Sequence, residues 1–156
     1  MTLAIGTYIR LIEADGSDPN LRFQNFFQGE SRIFNSEPHV FAAFGFSGGT
    51  IDLQAANITA TLAFGLNALS LSTFQRAVDQ RWLVEVSTVW LDPETFDETD
   101  THSTELYAIT GISHDNQRLA VGLSSPLDAV TQNAPRRVLT TRMVGNLPST
   151  GQINLN

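Results

Sequence analysis

The chain has 156 residues, 42% of them hydrophobic and 16% charged, with a net charge of −7 and no cysteine. That length suits a single domain able to bury roughly 70% of its unfolded surface. The acidic balance excludes a binder of free DNA or RNA, which needs a positive field along the phosphates. The missing cysteines exclude disulfides, thiol nucleophiles and thiolate-held zinc or iron–sulfur groups, and no cofactor is expected.

Lysine is absent, so all nine basic residues are arginine. Composition bias produces such a pattern; so does an interface, because arginine suits desolvated contacts better than lysine does. Met1 to Arg10 lacks a basic start followed by an apolar core, so no signal peptide is expected. No apolar run approaches the ~18 residues of a membrane span, and no membrane partner is expected.

Thr7–Asp15 reads as a first strand, followed by the turn cluster Asp15-Gly16-Ser17-Asp18-Pro19-Asn20 and a second strand over Leu21–Phe27, together a hairpin. Ser31–Asn35 is a short strand stopped by Ser36-Glu37-Pro38. The aromatic run His39–Phe46 leads to Ser47-Gly48-Gly49, read as a glycine hairpin turn. Alternation then marks strands over 50–55 and 57–64, or one strand bulged near Ala56-Asn57.

The period changes at Asn67–Asp79, where Leu71, Phe74 and Val78 sit at helical spacing and Ser70 or Ser72 offers a cap. Arg81–Leu91 is a strong strand, with Trp82, Val84, Val86, Thr88 and Trp90 on one face and Leu83, Glu85, Ser87, Val89 and Leu91 on the other. Asp92–Ser103 reads as a hydrophilic loop. Leu106–Ile112 and Arg118–Ser124 form a hairpin, and Val138–Met143 is a candidate last strand. The sum is a mainly-β domain over 1–145, a barrel or sandwich of about seven to nine strands with one short helix, and a C-terminal extension over 146–156.

Motifs of catalysis are thin. Gly45-Phe46-Ser47-Gly48-Gly49 fits the G-x-S-x-G pattern, but a nucleophile elbow needs a strand-to-helix turn, and Thr50–Phe64 alternates as strands do. Asp92, Glu94, Asp97, Glu98 and Asp100 lack the glycine and spacing of a calcium loop. They read as a solvated loop, with a weak ion site or a docking surface for arginines as the sharper alternatives. His39, His102 and His114 share no ligand spacing, and Trp82 and Trp90 read as core before sugar platform.

The stretch Leu119–Pro126 leaves a strand at Ser124-Ser125-Pro126 and runs on to Pro135-Arg136-Arg137. With Ile9–Asp15, Leu21–Asn25, Phe46–Thr50, the Val84–Leu91 strand, the acidic loop and Leu106–Ile109, its order over residues 7–140 resembles the N-terminal part of the minor tail protein L family. That family comprises tail-tip proteins of long-tailed bacteriophages. Its cysteine-bearing C-terminal part is associated with an iron–sulfur cluster. Here Thr140–Gly145 stands at the corresponding place without any cysteine, so cluster binding is not carried over.

The resemblance implies a virion structural protein, a tail-tip or baseplate hub subunit of the β-barrel type. Its partners would be the tail tube or distal tail protein and the central hub or spike, in a homo-oligomeric ring of three- or six-fold symmetry. Three of the nine basic residues fall at Arg136, Arg137 and Arg142. With Pro126 and Pro135 they are the candidate subunit interface, paired with acids such as those of the 92–100 loop. A small β-rich module binding carbohydrate or a receptor, and less so a serine hydrolase at Ser47, are the alternative readings.

Overall fold

The computed structural model describes residues 4–52 and 57–126. In chain order these form β1 (Ala4–Ile12), β2 (Arg22–Gln24), β3 (Arg32–Phe34), β4 (Glu37–Phe41), β5 (Phe44–Asp52), β6 (Asn57–Gly65), α1 (Ala68–Asp79), β7 (Leu83–Leu91), β8 (Glu98–His114) and β9 (Arg118–Ser124). One mixed sheet holds all nine strands in the order β3-β4-β2-β1-β7-β8-β9-β6-β5. Every neighbouring pair is antiparallel except β2 with β4.

A mainly-β fold with one short helix matches the sequence expectation, but the sheet is not closed into a barrel. Its two ends nevertheless approach each other, because β4 and β5 are joined by Ala42 and Ala43 alone. The Ala42 amide donates to the Gln24 carbonyl at 2.9 Å, and the Asn25 side-chain amide reaches the Phe44 carbonyl at 3.3 Å. The sheet therefore curls around one main core. That core takes Ile9 and Leu11 from β1, Phe44 from β5, Leu62 and Phe64 from β6, Val84 and Val86 from β7, and Leu119, Val121 and Leu123 from β9.

The helix covers the core. Asn67 caps it, its side-chain oxygen accepting from the Ser70 amide at 2.7 Å while the Ser70 hydroxyl accepts from the Asn67 amide at 3.1 Å. At the other end Arg81 turns left-handed, with φ 55°. The Trp82 amide then donates to the Ala77 carbonyl at 2.8 Å and the Arg81 amide to Val78 at 3.1 Å, a Schellman closure. Glycine is the usual residue there. Arginine holds the turn because the closure drives Trp82, 2% exposed, into the core beneath Phe74 and Ala77.

Strand β1 pairs with β7 over its whole length, from Ala4 opposite Leu91 to Ile12 opposite Leu83. Both faces of that pair are covered. Ile9, Leu11, Val84 and Val86 face the main core, while Tyr8, Val89 and Leu91 join Phe34 in a second cluster on the other side. The period-two reading of 81–91 placed these side chains on the right faces and left the second face unassigned.

Three expectations are corrected. Ser47-Gly48-Gly49 is a bulge inside β5 and not a turn: the ladder passes from Ser47 opposite Thr61 to Thr50 opposite Thr59, with an extra residue on β5. The short strand expected over Ser31–Asn35 is β3 and ends before Ser36, but Glu37 and Pro38 open the next strand and are not part of the stop. Asn35 and Ser36, at φ 50° and 66°, make a two-residue turn into β4. Pro38 fits there because β2 pairs with β4 only at Val40 and Phe41. Finally, the loop after Leu91 is short, since β8 already begins at Glu98; threonines 99 and 101 support extended backbone despite their polarity.

Gly6 marks where the second cluster closes on the sheet. A Cβ there would stand 2.5 Å from Phe26 Cδ1 and 2.7 Å from Leu91 Cδ1, whereas one at Gly45 meets nothing within 4 Å. Gly6→Ala should cost about 1–3 kcal/mol by urea denaturation, and Gly45→Ala should leave the midpoint within error.

Candidate interaction surface

Asp18 organises the charges at one end of β1. Arg10 and Arg22 face each other directly across the β1–β2 ladder, a like-charged pair that repels unless neutralised. The Asp18 carboxylate accepts from Arg10 at 3.0–3.1 Å and from Arg22 at 2.5 Å. Burial works against that charge, yet the Asn20 amide and the Arg22 and Arg10 guanidiniums outweigh it and hold Asp18 below the usual carboxylate range. Arg22, itself buried, also meets Glu37 at 3.3 Å.

Beside this network a pocket of about 140 Å³ opens between β1, β7 and the β3–β4 hairpin. Tyr8 and Phe34 stack in its wall, with ring centroids 4.4 Å apart, and His39 packs edge-on at 4.9 Å from Tyr8. His39 is buried, and its Nδ1–H donates to the Glu37 carbonyl at 3.0 Å. Burial pushes its pKa down, so the ring is held neutral. Arg10, Asn35, Glu37, Glu85 and Ser87 complete the polar lining.

The 92–97 turn is built from its own groups. Asp92 Oδ1 accepts from the Glu94 amide at 2.8 Å, and Phe96 takes φ 57° to bring the chain back. Arg32 reaches across to Asp97 at 3.3 Å and to the Thr95 carbonyl at 3.3 Å, with its guanidinium 4.0 Å above the Phe27 ring. The Tyr8 hydroxyl donates to Glu98 at 2.5 Å. Three of the five acids assigned to this loop are thus engaged within the chain, leaving Glu94 and Asp100 exposed.

Of the candidate interface residues, Pro126 is the last described residue, half-buried just past β9. Pro135, Arg136, Arg137 and Arg142 lie outside the described residues, as does the 145/146 boundary. Ser47 is exposed in mid-strand opposite Thr61, and the chain continues as strand, so the G-x-S-x-G segment makes no nucleophile elbow. Trp82 is core; Trp90 is half-buried with His102 against its edge at 5.1 Å. Among the described residues no group of three or more His, Asp or Glu side chains is placed to hold a metal ion, and no helix is long and apolar enough to cross a membrane.

The surface keeps two kinds of unsatisfied contact. Among the described residues, no strand pairs with the outer edge of β5 or with the outer edge of β8 from Glu98 to Tyr107, because β9 stops at Ser124 opposite Ala108. The outer face of the β3–β4 hairpin carries Ile33, Pro38 and Val40, with Ile33 72% and Val40 59% exposed. Sequence reading missed both features and the pocket, whose walls come from three separate stretches of the chain, 8–10, 34–39 and 85–87.

Asp18→Asn should cost about 1–3 kcal/mol in urea, since it leaves the buried Arg22 charge only the longer contact to Glu37. Tyr8 titrates well above its ordinary value, first through burial and then through Glu98, against a smaller opposing effect of Arg32. The folded protein keeps a phenolic proton that the unfolded chain releases, so stability is full below about pH 10 and falls as pH rises past it. Tyr8→Phe should flatten that alkaline loss in denaturation series run from about pH 9 to 11. Compared with known proteins, the chain matches no family model and no curated sequence.

Proposed function

We propose that this chain is a structural subunit of a tailed-bacteriophage virion. In this reading it is a tail-tip or baseplate hub protein that forms a homo-oligomeric ring between the tail tube, or distal tail protein, and the central hub or spike. The segment order over residues 7–140 motivates the phage assignment. The observation that carries the assembly is the sheet as the described residues form it, with edges at β5 and β8 that no described strand pairs and exposed Ile33 and Val40 on the edge hairpin. Unpaired edges and exposed apolar faces are what a stand-alone domain usually blunts and what a building block uses.

The mechanism is geometric. A surface patch on one subunit meets a different patch on the next, and such a heterologous contact closes into a ring when its rotation divides the circle. Three- and six-fold closure both fit the reading. A net charge of −7 without lysine suits a lumen that DNA passes without adhering.

The test is light scattering and electron microscopy of the purified full chain, alone and with neighbouring tail proteins. A single closed trimer, hexamer or stack of these is expected, and a monomer that joins no tail protein would sink the reading. The double variant Arg136→Glu/Arg137→Glu should abolish the ring while leaving the unfolding midpoint of the monomer unchanged.

A further inference from the structure

Among the described residues, the charges around the β1–β7 pocket are not balanced. Arg10 is the direct ladder partner of Glu85. A salt bridge across that rung would be the default, but Asp18 draws the Arg10 guanidinium away through contacts at 3.0 and 3.1 Å. Glu85, half-buried at the pocket, is left without an ion-pair partner among the described residues. Glu37 meets Arg22 only at 3.3 Å and keeps acceptor capacity. His39 spends its Nδ1 proton on the Glu37 carbonyl, which leaves Nε2 as a lone-pair acceptor in the neutral ring. The Ser87 hydroxyl shares a hydrogen bond with Thr104 at 3.0 Å.

Arg10 and Asn35 also line the pocket, but Arg10 is drawn to Asp18, so the carboxylates of Glu85 and Glu37 keep acceptor capacity beside the Tyr8–Phe34 stack. A flat cation with several N–H groups satisfies all of these at once. Guanidinium hydrogen-bonds carboxylates in a fork and lies well against aromatic rings. A volume of about 140 Å³ admits the head group and the methylenes next to it.

We infer that this pocket is the receptor for an arginine side chain, and that its occupant is Arg136 or Arg137 of a second copy of this chain. The inference rests on the ring reading for the identity of the occupant, while the chemistry of the pocket stands apart from it. The acids of the 92–100 segment are the weaker receptor, because Asp97 already pairs with Arg32 and Glu98 already accepts from Tyr8. Glu85 is the carboxylate with a place for another guanidinium.

Two measurements on the full chain separate the two readings. The first is an NMR titration with N-acetyl-L-argininamide, with Arg136→Gln/Arg137→Gln as background so that the chain's own arginines do not compete. Saturable shifts at Tyr8 and His39 are expected. Glu85→Gln, close in shape, should weaken binding about tenfold or more, and N-acetyl-L-glutaminamide should shift nothing. No shift, equal shifts with both probes, or no effect of Glu85→Gln overturns the pocket. The second is the self-association constant. Glu85→Gln and Arg136→Gln/Arg137→Gln should each weaken it about tenfold, and their combination should weaken it little further. Self-association that ignores Glu85→Gln overturns the inference and leaves the ring standing. Argininamide binding by a chain that never self-associates supports the pocket, removes the ring and overturns the second-copy occupant.

Discussion

The β1–β7 ladder is the constraint on which the other elements depend. It is paired along its full length and covered on both faces, so each strand must serve two cores with alternate side chains. One face is the floor of the curled sheet beneath α1; the other carries Tyr8, Val89 and Leu91 toward Phe34 and Phe26. A one-residue slip would exchange the two sets and ruin both cores. Register is thus fixed by packing on two sides, which explains why β1 and β7 hold together although residues 13–82 separate them. Ser87 is the one fully buried polar side chain of β7, and its hydroxyl is satisfied by Thr104 of β8.

The second constraint is electrostatic and grows out of the first. Extending β1 to Ile12 brings Arg10 opposite both Arg22 on one side and Glu85 on the other. Only one of these relations is used. Asp18 comes from the turn between β1 and β2, held there by the Asn20 amide at 2.8 Å, and binds both arginines. Local turn geometry therefore decides a non-local charge balance: it neutralises the like-charged pair and leaves Glu85 for something else. The buried Gln24 works in the same manner on the apolar side, its side chain accepting from the Phe26 and Phe27 amides and so fixing the loop that supplies Phe26 to the second cluster.

Much of the sheet was legible because its side chains alternate. Period two over 81–91 and 118–124, and helical spacing at Leu71, Phe74 and Val78, each correspond to an observed element. What failed was punctuation. Gly48-Gly49 carries the usual signal of a reversal, yet glycine equally accommodates an extra strand residue, and the pairing of β5 with β6 on both sides of the bulge decides between the two. Pro38 signals a stop, but a proline whose amide faces no partner stops nothing. Thr99, Thr101 and their acidic neighbours look like loop because hydropathy marks them as exposed, and an exposed strand has no apolar period to betray it. The pocket left no trace in the sequence: Tyr8, Phe34, His39 and Glu85 have no shared spacing and meet only because β4 lies beside β2 and β1 beside β7. For the arginines at 136, 137 and 142, the sequence shows only clustering.

A sheet with open edges still has to avoid indiscriminate pairing, and the edges of β5 and β8 that no described strand pairs differ in how they do so. The ladder of β8 with β7 shifts register between Thr88 and Val89 and again between Trp90 and Leu91, within the part of β8 that lacks an outer partner. Bulges there twist the strand, and Glu98, Asp100 and Glu105 add like charge along it. Such an edge repels a second copy of itself and accepts only a partner whose shape and charge answer it. The free edge of β5 has a bulge as well, with no basic side chain along the strand. The charged, bulged edge of β8 does not favour self-pairing across a two-fold axis and suits an unlike neighbour. On the proposed reading this is the asymmetry a ring needs, since head-to-tail contacts close into a ring, whereas a contact between like edges would stop at a dimer.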